Sequence, residues 1–108
     1  MRQRVVPVLG ALGVCLAFVS GAQAAGDPEA GRFKAATCMG CHGVPSYSNA
    51  YPTYHVPKLG GQHPEYIVAA LEAYKAGERG HDTMHAQAVS LSEQDMQDIA
   101  AYLATYTE

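Results

Sequence analysis

Cys38-Met39-Gly40-Cys41-His42 constrains this chain more than any other stretch, because it gathers two thiols and an imidazole into five consecutive residues. Two thiols separated by two residues can each add to one vinyl group on the same edge of a porphyrin. The histidine after the second thioether then lies under the iron, where an imidazole nitrogen can bind. The C-x-x-C-H spacing is the one by which a chain attaches haem covalently. Three other readings compete with it. A thioredoxin-like redox disulfide normally opens a helix in a βαβ context, and the sequence shows no such pattern. Half of a structural zinc site would want a second cysteine pair, which residues 25–108 lack. A plain structural disulfide is permitted in an exported protein. Haem is the favoured reading.

Export is suggested by the start of the 108-residue chain. Arg2 and Arg4 precede an uncharged apolar stretch from Val5 to Ser20, and Ala22-Gln23-Ala24 follows as a small-x-small site. That order reads as a secretory signal peptide over residues 1–24, cleaved after Ala24, which leaves one domain over 25–108 in the periplasm. The apolar core of about 16 residues falls short of the roughly 20 needed to span a bilayer, so no stable span is expected after cleavage. A lipid anchor on Cys15 is disfavoured by Val14 directly before it, where such signals carry a small residue.

Charge narrows the function classes. Without Arg2 and Arg4, five basic residues face ten acidic ones, a formal charge of −5. Nucleic acid demands a basic surface and is excluded as a partner. Basic or mixed-charge protein partners remain. A domain this small has difficulty filling a core alone. Residues 25–108 contain no Trp and one Phe, Phe33, so a prosthetic group is expected at the centre.

The helix signals are good and the strand signals poor. Asp27-Pro28-Glu29 combines an N-cap, a first-turn proline and a first-turn acid, and predicts a helix to about Thr37. Residues 43–62 then carry Pro45, Pro52, Pro57, Gly60 and Gly61, which predict a long loop of the kind that needs a functional reason. Ile67, Ala70, Leu71 and Tyr74 recur with helical spacing after Pro64-Glu65, and Gly77 is the expected stop. Ser92 to Asp95 resembles a capping box, with Met96, Ile99, Ala100 and Leu103 as the buried face of a last helix. The expected architecture is all-α, with three main helices and long loops wrapped around one covalent haem.

An electron-transfer iron takes Met or His at its sixth position. Met84 lies in Gly80-His81-Asp82-Thr83-Met84, read as a flexible polar loop able to reach the face opposite His42. Met96 belongs to an apolar stripe and reads as core filler. Met39 is tied to the proximal side by the attachment motif. His85 and His81 rank second and third after Met84. His55 and His63 lie in loops and read as exposed or hydrogen-bonded.

Further segments then follow in order: Gly26-Asp27-Pro28-Glu29-Ala30-Gly31, the haem motif with Gly43, Pro57-Lys58-Leu59-Gly60-Gly61-Gln62, Tyr74-Lys75-Ala76-Gly77-Glu78-Arg79, Met84, and Leu91 through Leu103. Over essentially all of 25–108 the chain resembles the class I cytochromes c of the small bacterial type, also found as halves of dihaem cytochromes. The resemblance implies one haem c held by Cys38 and Cys41, with His42 and Met84 as iron ligands. It implies that the Pro57 carbonyl accepts from the proximal imidazole, and that the first and last helices cross near Gly31 and Tyr102. It offers Gln62 and Arg79, less directly, for the haem propionates. Thr83 departs from the proline many relatives carry before the ligand methionine. Residues 43–56, with Tyr47, Tyr51 and Tyr54, depart from the family pattern; they could shield a haem edge, shape a partner surface or pack on their own aromatics.

His/Met ligation leaves no open position for substrate, so the expected function is single-electron transfer rather than catalysis. Redox partners would be a terminal oxidase, a reductase or a dehydrogenase. The alternative is a cytochrome c subunit of a periplasmic dehydrogenase or oxidase complex. A sensor or weak peroxidase would require Met84 to be displaced.

Overall fold

The computed structural model describes residues 25–107, so the expected signal peptide at 1–24 lies outside the described residues. Among the described residues there are five helices and one two-stranded ribbon: α1 (Pro28–Lys34), α2 (Ala36–His42), β1 (Ser48–Asn49), β2 (Tyr54–His55), α3 (Pro64–Ala76), α4 (Asp82–Ala88) and α5 (Glu93–Thr105). None of these helices is long and apolar enough to cross a membrane.

The helix starts follow their local chemistry. The Asp27 side chain accepts from the Glu29 amide, with Pro28 in the first turn. Ser92 and Asp95 form a reciprocal capping box, Asp serving where Glu or Gln is usual. Gly77 ends α3 in the left-handed region at φ 75°, a conformation that costs glycine little.

Three expectations needed correction. The first helix ends at Lys34, Ala35 interrupts it at ψ 0°, and a second helix carries the chain on to His42. Ala35 is fully buried, and its carbonyl still accepts from Met39, so the break changes direction without freeing the chain. The supposed flexible loop around Met84 is helix α4; the His81 side chain caps it by accepting from the Met84 amide. The loop at 43–62 contains the short antiparallel ribbon, Ser48 opposite His55 and Asn49 opposite Tyr54. Strands of two residues are too short to give an alternating pattern in sequence.

The core comprises Ala35, Ile67, Val68, Leu71, Ala88, Met96, Ile99, Ala100 and Leu103. It is aliphatic throughout, and Phe33 stands 71% exposed. Met96 is core filler, as its place in the apolar stripe implies. α1 packs across α5 at Gly31, where a Cβ would lie 1.9 Å from the Asp98 carbonyl oxygen and 2.9 Å from the Tyr102 Cβ. Only glycine permits that approach. The buried Asp98 carboxylate fastens the same crossing. It accepts from the Asp27 amide at 2.8 Å, Lys34 Nζ at 2.6 Å and Gln94 Nε2 at 2.8 Å. Lys34 also pairs with Asp95 at 2.8 Å. The resulting frame presents α2 and α4 at the margin of one core.

Candidate haem-attachment site

The motif Cys38 to His42 occupies the C-terminal half of α2. Residues three apart share a helix face, so Cys38 and Cys41 present their thiols on one side, one turn apart. Both are free and half-buried. Burial pushes the Cys38 thiol up, and the Thr37 side chain offsets part of that by hydrogen bonding. Among the described residues no three His, Cys, Asp or Glu side chains converge as a metal site, so the zinc reading finds no support.

His42 ends the helix, and its ring is fixed from outside it. Nδ1 lies 2.7 Å from the Pro57 carbonyl oxygen, fifteen residues on. A carbonyl can only accept, so Nδ1 carries the proton and, in the neutral ring, Nε2 keeps its lone pair for another partner. Such a bond orients a ligating imidazole and raises its basicity.

Met84 lies in the first turn of α4, half-buried. Cys38, Met39, Leu59, Tyr74, Met84 and Leu91 all pack against the same core cluster. Cys38 and the Met84 thioether therefore share one apolar margin, and Cys41 and His42 follow Cys38 within about one turn of α2. That donor set fits a covalently attached haem, and a haem would supply the large aromatic mass that the aliphatic core lacks.

The other histidines have contacts of their own, and the Nδ1 bond of His85 leaves its Nε2 free as that of His42 does. His85 Nδ1 donates to the Tyr74 carbonyl at 2.8 Å, joining α4 to the end of α3. His81 caps α4, and its ring meets Tyr54 edge-on at 4.7 Å and Tyr74 at 6.3 Å. His55 pairs across the ribbon with Ser48 at 3.2 Å. His63 precedes α3 without capping it through its side chain. Gln62 Oε1 accepts from the His63 amide, and the Arg79 guanidinium lies 4.7 Å from the Tyr74 ring centroid.

One contact escaped the sequence reading. The Tyr54 hydroxyl donates to Thr83 Oγ1 at 3.2 Å, which links the ribbon to α4. The cluster of tyrosines in 43–56 was the available signal, and it could not say which tyrosine reached which helix.

Comparison with known proteins places the chain in a family. The cytochrome c family model matches residues 30–107. Cytochrome c4 of Thiocapsa roseopersicina is 46% identical over 81 residues, covering 74% of this chain and 40% of that protein. Cytochrome c-554(548) of Halomonas halodenitrificans is 39% identical over 84 residues, covering 75% of this chain and 98% of that one. A solved cytochrome c4 structure from Acidithiobacillus ferrooxidans superposes with a TM-score of 0.59 at 30% identity, covering 81% of this chain and 53% of the other. The chain spans about two fifths to one half of the length of its cytochrome c4 relatives. With the attachment motif, the fold and the relatives in agreement, this chain belongs to the cytochrome c family, the family of covalently attached haem c.

Proposed function

We propose that this chain is exported to the periplasm, loses residues 1–24, and serves there as a single-electron carrier rather than an enzyme. In this reading Cys38 and Cys41 would hold the haem through two thioethers, and His42 Nε2 and the Met84 sulfur would bind its iron. The haem, when bound, supplies a one-electron iron couple. The observation that carries the assignment is the His42 Nδ1 to Pro57 carbonyl hydrogen bond. It leaves the imidazole a single nitrogen for the metal and holds the ring against rotation.

The protein's own part is to hold both ligands still while charge changes. Pro57 fixes one through a backbone oxygen, which no side-chain motion can withdraw. Helix α4 fixes the other, with Met84 packed against the core cluster. A thioether is a soft donor and raises the potential relative to a second imidazole. The acidic balance of the chain favours brief, salt-sensitive docking on basic or mixed-charge partners.

Absorption spectra of the oxidised and reduced holoprotein test the ligand set. The weak near-infrared band of methionine sulfur on ferric iron should be present, and should vanish in Met84→Ala. A missing band, together with ready carbon monoxide binding by the reduced wild type, would overturn the distal assignment. Mass spectrometry of the secreted protein tests the export reading, which requires a chain beginning at Ala25.

A further inference from the structure

Residues 54–57 touch both sides of the site. At one end, the Pro57 carbonyl accepts from His42 Nδ1 at 2.7 Å. At the other, the Tyr54 hydroxyl donates to Thr83 Oγ1, the neighbour of Met84. The Tyr54 ring also meets the His81 ring edge-on, centroids 4.7 Å apart at 75°. His81 is the residue whose Nδ1 accepts from the Met84 amide at 3.3 Å. One side chain thus holds the residue before Met84 and the cap on the amide of Met84 itself.

Tyr54 is in turn held from behind. Its strand pairs with Asn49, and Val56 N–H donates to the Tyr47 carbonyl at 3.0 Å. Asn49 Nδ2 and Thr53 Oγ1 close the turn on the carbonyls of Pro52 and Ala50. Val56 is buried between these two contacts, so the short strap cannot slide freely along the chain. α4 has only seven residues, and most of its stability must come from contacts outside itself. The strap provides one of them.

We propose that the 43–56 segment is a clasp on the Met84 helix, with Tyr54 as the positioning residue that keeps Met84 in place through Thr83 and His81. The clasp rests on the reading of Met84 as the distal ligand. It answers the rigidity that a threonine, rather than a proline, at position 83 leaves open: a hydrogen bond from a distant segment replaces a fixed backbone angle. It also couples the two ligand positions mechanically, because the same four residues fix His42.

The test uses the holoprotein and the rate at which carbon monoxide captures the reduced iron, a step that requires Met84 to leave. Tyr54→Phe removes only the hydroxyl and should speed capture about three- to tenfold, the effect of one net hydrogen bond. Thr83→Val should do the same, and Thr83→Ser, which restores the acceptor, should return the wild-type rate. The double variant Tyr54→Phe/Thr83→Val should be no faster than either single one. Global stability to urea, recorded alongside, separates a loosened ligand from a loosened fold: capture that tracks urea midpoint across all variants, Thr83→Ser included, overturns the clasp. So does an unchanged capture rate in Tyr54→Phe when Met84→Ala has lost the near-infrared band. If Met84→Ala keeps that band, the ligand assignment fails and the clasp with it.

Discussion

Lys34 and Asp98 stand 64 residues apart in the chain and 2.6 Å apart in the fold. The carboxylate they share with the Asp27 amide and Gln94 is buried, with every one of those donors directed at it. A buried charge is tolerable only when satisfied in this way. Asp98→Ala should cost roughly 2 kcal/mol, the scale of hydrogen bonds to a charged group. Denaturant unfolding of the holoprotein measures it, and a change below a few tenths would show that water replaces the network without loss.

The same carboxyl makes stability depend on pH. Its hydrogen bond from Lys34, then those from the Asp27 amide and Gln94, hold Asp98 below the ordinary carboxylate value. A group whose pKa is depressed by folding contributes fully above its unfolded value, about 3.9, and loses that contribution as pH falls through the folded value. Wild-type stability should therefore fall as pH drops below about 4, and Asp98→Asn should fall less steeply over the same window. Urea midpoints measured at neutral and acid pH decide the matter; parallel slopes would remove Asp98 from the account.

Gly31→Ala should destabilise by about 3 kcal/mol, the upper end of overpacking costs. The added Cβ would stand 1.9 Å from a carbonyl oxygen of α5, and backbone cannot rotate aside as a side chain can. Thermal unfolding would register the loss. A variant as stable as wild type would mean that α1 and α5 can separate cheaply.

The two methionines of the helical half should dissociate function from stability. Met96 is 2% exposed within the core, so Met96→Ala should cost about 2–5 kcal/mol and leave the near-infrared sulfur band intact. Met84→Leu, at the core margin, should abolish the band with a smaller loss of stability. Spectra and urea curves of both variants give the comparison, and a band lost in Met96→Ala would reverse the assignment.

Removing the capping box by Ser92→Ala should cost roughly 1 kcal/mol. Both reciprocal bonds are formed, at 2.9 and 3.1 Å, and α5 is the helix against which α1 and α3 pack. A shift in urea midpoint at unchanged spectra is the expected result.

Local chemistry made much of this fold legible. Caps at Asp27 and Ser92, the stop at Gly77 and the stripes through Ile67 and Ile99 are written in residues close to one another, and the structure follows them. Resemblance, rather than local pattern, pointed to the crossing at Gly31. The break at Ala35 left no sign, because alanine is a good helix former and its fully buried place in the core overrides its preference. α4 was hidden because its cap is a histidine, a residue that rarely signals a helix start. The Tyr54 contact depends on a ribbon of two residues per strand, below the length at which alternation can be read. Attachment residues were legible because five neighbours carry the chemistry; the strap was not, because it joins residues 29 positions apart.

The crossing of α1 and α5 has a consequence for assembly. Among the described helices the first packs chiefly on the last, so the loop between them closes late, after nearly all of the described residues have been delivered. Until then the core that Ala35 enters lacks Met96, Ile99, Ala100 and Leu103, and the burial that disfavours ionisation of Cys38 is incomplete. The nascent chain thus offers the Cys38 thiol in its more reactive condition first, and partly covers it only when the core has formed.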